Sequence, residues 1–186
     1  MSILFNIHFP DFDIETHLNL QNFYSHCKQY ITIKFIEDWH NSITNVDKHP
    51  KLRTYSRFKT SFYPEPYLNS VKELKYRNAI SKIRTSSHTL AIERGRYTRP
   101  KTPIEQRLCE FCDVIEDEEH FLVACQSNQS DRNILFEKIQ SLFPCFSGMS
   151  LSDKFIFLMT IENDQVMKWL GIFIHKSFSL RSTLMR

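Results

Sequence analysis

The stretch 108–125 reads LCEFCDVIEDEEHFLVAC, and the four metal-capable side chains Cys109, Cys112, His120 and Cys125 stand in it as C-x2-C-x7-H-x4-C. Three thiolates and one imidazole are a standard tetrahedral set for structural zinc, and a filled shell leaves no open position to activate a water. Cysteines three apart suit a tight turn that aims both sulfurs at one point. The second pair is expected on a short helix beginning near Asp117. A five-residue step on a regular α-helix overshoots one turn by about 140°, so this helix is expected to unwind or tighten at Cys125. The acidic run Glu116-Asp117-Glu118-Glu119 then fits the first turn of that helix, where the dipole favours carboxylates, rather than a catalytic cluster. Cys27 and Cys145 have no metal-spaced partner and are expected to be buried thiols.

On both sides of this insert the hydrophobic spacing is helical. Leu20, Phe23, Tyr24, Cys27, Tyr30 and Ile31 recur at steps of three and four, and Phe35, Trp39 and Ile43 continue at i+4. A short helix is expected from residue 52 to about 59. Another is expected from Pro66, a favoured first helical residue, with Leu68, Val71, Leu74, Ala79, Ile80 and Ile83 as its apolar stripe. Pro100 and Pro103 favour an extended linker over 97–103. Downstream, Ser130, Ser152 and Asn163 or Asp164 are candidate caps for three further helices. The predicted fold is mainly α, several helices flanking a small CCHC zinc knuckle. Its segments are an N-terminal helical segment (1–50), a basic helical region with a proline-containing linker (51–107), the knuckle (108–126) and C-terminal helices (127–186).

The chain has 186 residues and a formal charge of +3, unevenly spread. Residues 51–107 carry 14 basic and 4 acidic side chains, whereas 1–50 and 108–186 are net acidic. A block of +10 is a candidate polyanion footprint. Only 3 glycines are present, which argues against glycine-rich phosphate loops. No apolar run approaches the roughly 18 residues a membrane span needs, and the start does not read as a secretory signal. Five cysteines, three of them clustered, suit a metal in a reducing intracellular compartment, nucleus or cytoplasm, better than a disulfide framework. The deaminase, metalloprotease, P-loop and nucleophile-elbow motifs are absent, as is any Asp-Asp pair. The chain is therefore expected to be non-catalytic. A zinc-ordered protein-interaction module is the alternative to a nucleic-acid-binding one.

The phrases Trp39-His40-Asn41-Ser42-Ile43, Lys51-Leu52-Arg53-Thr54-Tyr55 and Arg84-Thr85-Ser86-Ser87-His88, with the cysteine cluster, resemble the region following the polymerase in reverse transcriptases of animal non-LTR retrotransposons. The likeness extends from about residue 31 to 181. It implies a tail that grips RNA or single-stranded or target DNA during target-primed reverse transcription, with the polymerase upstream in the full-length relative. Carried over, it makes Cys109, Cys112, His120 and Cys125 the zinc ligands. The nucleic-acid candidates are Arg53, Arg57, Lys59, Arg84, His88, Arg94, Arg96, Arg99 and Arg107, with Tyr97 available to stack on a base. His120→Ala is expected to abolish stoichiometric zinc and local order in the knuckle while the helices of 66–84 partly persist; metal analysis of the purified variant tests the ligand set.

Overall fold

A computed structural model describes residues 20–184; residues 1–19 of the expected N-terminal segment, and the Leu20 side chain, lie outside the described residues. The chain divides into two compact units, one ending at Asn41 and the other beginning at Ser42. Among the described residues the secondary structure is helical, apart from an isolated antiparallel bridge between Leu108 and Ile115.

Helix α1 spans Leu20–Thr44. The β-branched run 31–33 does not interrupt it, because flanking residues of good propensity outweigh a penalty of a few tenths of a kcal/mol per residue. Most apolar residues of α1 in the first unit are exposed, Tyr24 at 65% and Phe35 at 62%, with Cys27 and Trp39 half-buried, whereas Ile43, in the second unit, is buried.

In the second unit, the helix expected over 52–59 is instead two 3-10 turns, Pro50–Leu52 and Tyr55–Arg57. Between them the Arg53 and Thr54 side chains both reach Glu118. The single helix expected from Pro66 is two: α2, Tyr67–Ser70, and α3, Leu74–Arg84. Val71 takes an extended conformation at the break and is fully buried, while Leu68 and Leu74 of the expected stripe are exposed. The break realigns the chain so that Val71 joins Ala79, Ile80 and Ile83 in one core.

Helix α4 is the single turn Ala91–Arg94. The segment after it is not an extended linker. It folds back, with the Thr102 amide donating to the Gly95 carbonyl and to Thr98 Oγ1, both at 2.9 Å. Gly95 is required here by a close approach, since a Cβ would lie 2.7 Å from the Arg107 side chain that crosses over it.

Three longer helices complete the unit: α5, Gln129–Leu142; α6, Leu151–Thr160; and α7, Asp164–Leu184. Ser130 lies inside α5 rather than capping it, and α6 is capped by Ser150, not Ser152, through the Asp153 amide at 3.2 Å. Asn163 Oδ1 accepts the Gln165 and Val166 amides at the start of α7, satisfying donors the helix itself cannot. Val166, Leu170, Phe173 and Ile174 give α7 its buried stripe. Each such side chain contributes about 1.5–3 kcal/mol by leaving water. The core also takes in Phe121, Leu122 and Val123, the spacer residues between His120 and Cys125.

Helices α3 and α7 approach closely at Gly171, where a Cβ would stand 2.9 Å from Tyr76 Cβ and 3.1 Å from its carbonyl oxygen. Gly171→Ala should therefore destabilise the unit by about 1–2 kcal/mol, overpacking outweighing the roughly 1 kcal/mol gained in helix propensity. Urea denaturation would report this as a lower midpoint at unchanged slope.

Candidate metal centre

Cys109, Cys112, His120 and Cys125 each offer a donor atom, and the four atoms lie within 4.8 Å of one another. Cys109 Sγ and Cys125 Sγ are 3.7 Å apart. A disulfide would require about 2.05 Å, whereas a regular tetrahedron with metal–sulfur bonds of 2.3 Å has edges of about 3.8 Å. His120 Nε2 is buried without a hydrogen-bond partner. An orphaned imidazole nitrogen beside three thiols is a donor set that could hold a metal ion.

The first two donors stand on a tight turn. The Cys109 amide donates to the Val114 carbonyl at 2.7 Å, and the Cys112 and Asp113 amides fold back on the Cys109 carbonyl. Asp113 closes the turn in the left-handed region at φ 53°, a conformation that aspartate tolerates better than most residues. The other two donors meet the five-residue spacing through the first of the two expected routes, a local unwinding of the α-helical ladder. The helix widens: His120–Ala124 is a π turn, and the Cys125 amide donates to the His120 carbonyl five residues back at 2.7 Å. An i→i+5 bond brings residues five apart onto one side, and such turns recur at functional sites. Asp117 caps this segment, its Oδ1 accepting the His120 amide at 2.8 Å.

Supporting contacts surround the sulfurs. The Gln126 amide donates to Cys112 Sγ at 3.3 Å, and Ser127 Oγ lies 3.1 Å from Cys125 Sγ. The buried Arg132 donates to the Cys125 carbonyl at 2.6 Å and Asn128 to the Phe121 carbonyl at 3.2 Å. No spacing in the sequence singles out Arg132 or Asn128. Burial pushes the Cys109 thiol up to about 12. For Cys125 burial acts the same way but is outweighed by the neighbouring His120 imidazole and by Ser127, which bring the thiol down to about 6. Cys145 is exposed rather than buried and Cys27 is half-buried; in the turn Pro144–Gly148 it is Phe146 that fills the core.

The acidic run has a larger task than favouring a helix dipole. Glu116 and Glu118 are 2% and 0% exposed. Glu116 takes Arg181 Nε and Nη2 at 2.8 and 2.7 Å and the Ala91 amide at 2.6 Å. Glu118 takes Arg53, Thr54, Ser86 and His88 at 2.6–2.8 Å. Burial would raise its carboxyl, yet His88, the Arg53 guanidinium and Ser86 outweigh it and hold the group at about 2.

These contacts decide where the nucleic-acid candidates stand. Arg53 pairs with Glu93 as well as Glu118, and Arg96 also pairs with Glu93. Arg84 is buried between Glu65 and the Met159 carbonyl, stacked over Phe58, and Lys59 reaches Glu65. The His88 side chain is fully buried. Arg107 donates to the Thr102 and Ile92 carbonyls. Arg57 is held by Glu119 and Ser152. Arg94 faces solvent in a half-exposed pair with Glu110, Tyr97 is 67% exposed with the Lys51 ammonium 5.9 Å from its ring, and Arg99 is exposed. No helix among the described residues is long and apolar enough to cross a membrane.

No protein-family model, curated protein or solved structure matches the chain.

Metal uptake at pH 7 should release the proton that Cys109 otherwise keeps, so affinity should rise with pH by about tenfold per unit for each proton displaced. The fall should steepen below about pH 6, where Cys125 also takes up a proton. Competition titrations against a chelator of known affinity across that range check both slopes.

Proposed function

We propose that the chain is a non-catalytic, zinc-ordered helical module that binds single-stranded nucleic acid, as its resemblance to the post-polymerase tail of non-LTR retrotransposon reverse transcriptases implies. The observation that carries the zinc half of this reading is the convergence of three sulfurs and an imidazole within 4.8 Å of one another, with Cys109 Sγ and Cys125 Sγ 3.7 Å apart. Cys109, Cys112, His120 and Cys125 would hold the ion. With four protein donors it would supply shape and folding energy rather than a reactive water.

The nucleic-acid half is supported by the cations and ring that stay at the surface after internal pairing. Tyr97 offers an exposed π-face beside Lys51, and exposed Arg99 and Lys101 follow it in the chain. An aromatic platform flanked by cations suits unpaired bases with little sequence preference, since every base can stack and every phosphate attracts. Arg53, Arg84, Arg96, His88 and Arg107 act here as structural residues of the fold. That same internal pairing favours the second reading, a zinc-ordered protein-interaction module, because it removes much of the +10 block from the surface.

Stoichiometric zinc together with salt-steep binding of a labelled single-stranded RNA is the expected result. Tyr97→Ala should weaken binding by about 1–3 kcal/mol at all sequences, and Arg99→Ala should lower the salt slope by about one. Absence of binding at about 50 mM salt, where phosphate contacts are strongest, would overturn the nucleic-acid reading in favour of the protein-interaction one.

A further inference from the structure

Glu116 and Glu118 lie on the segment that ends in His120, two residues apart, and they tie it to different parts of the unit. Glu118 gathers Arg53 and Thr54 from one segment and Ser86 and His88 from another. Glu116 grips Arg181 of α7 and the amide of Ala91 at the head of α4. Its backbone carbonyl accepts the Ile92 amide at 3.1 Å, and its own amide donates to the Arg107 carbonyl. None of these groups is a donor to the ion. Yet the path of 116–120 is fixed at one end by the buried carboxylates and at the other by His120.

We propose that Glu118, with Glu116, is a positioning residue for the metal centre, so that ion binding and closure of this buried polar network form one coupled equilibrium. The inference rests on the metal-centre reading and goes beyond it. The ion governs the packing of segments that contribute no ligand, and residues remote from the ion set its affinity. The physical reason is that an ordered 116–120 segment serves both sides. When the network holds it, His120 is pre-placed and the ion need not order it; when the ion holds it, the carboxylates meet their cations without that cost. Linkage requires the two effects to be equal. Groups beyond the ligands commonly change metal affinity by about 10- to 100-fold when altered.

The test uses the full chain with cobalt(II) as a spectroscopic probe of thiolate ligation. Glu118→Gln keeps the shape and loses the charge that faces Arg53, and its cobalt affinity should fall about tenfold. Ile139→Val, a core change outside the network, should bind cobalt as the wild type does. Ser86→Ala, a milder break, should weaken binding less and in the same direction. Independently of any substitution, the Ala91 and Ile92 amides of the wild type should exchange hydrogen faster when the ion is removed, while α5 and α6 amides stay protected. Wild-type cobalt affinity in Glu118→Gln overturns the inference, as does an equal loss in Ile139→Val. A wild-type chain that gives no cobalt–thiolate absorption overturns the metal reading itself and this inference with it.

Discussion

Two carboxylates buried within three residues of each other impose the strongest constraint on this fold. Removing an ion from water costs several kcal/mol unless partners of opposite charge and well-placed donors replace the lost hydration. Glu116 and Glu118 meet that requirement with Arg181 and Arg53, an imidazole, two hydroxyls and a backbone amide. Segments far apart in the chain are thereby held at fixed positions around the cysteine cluster. The lopsided charge of the linear sequence is in part an artefact of counting along it. Arg53, Arg57, Lys59, Arg84, Arg94 and Arg96 of the cationic block 51–107 face carboxylates of their own unit, several of them beside the candidate metal donors.

The cluster is consequently not a bead strung between helical regions. Phe121, Leu122 and Val123 fill the space between two candidate ligands and belong to the same core as α3, α5, α6 and α7. Arg132 and Asn128 hold the carbonyls of Cys125 and Phe121 from the start of α5. A small domain of limited core gains from such an arrangement, because one ordered turn serves the candidate metal donors, polar network and apolar packing together.

Much of this is legible in the sequence. The four donors follow from residue type and spacing, and the long helices from their three- and four-residue periodicity. The break between α2 and α3 is not, since Leu68, Val71 and Leu74 keep helical spacing whether or not the helix is continuous, and only tertiary packing chooses Val71 over its neighbours. Caps at Ser150 rather than Ser152 differ by less than propensity resolves. The cations escape a linear reading for a deeper reason: Arg53 finds Glu93 and Glu118 at separations of 40 and 65 residues. Nothing local distinguishes an arginine destined for a buried carboxylate from one that faces solvent.

The widened turn at His120–Ala124 leaves its backbone with one residue more than an ordinary helical turn accommodates. A π turn is a rare arrangement, and the surplus has an obvious way to relax, by slipping one position into the regular ladder. Such a slip would rotate the downstream chain by about 100°, swinging Cys125 away from its companions and turning the Phe121–Val123 wedge against its socket. A bound ion and the core would oppose the same screw motion from opposite sides, and the odd residue would then act as a ratchet pawl that keeps α5 in phase with the cluster before it.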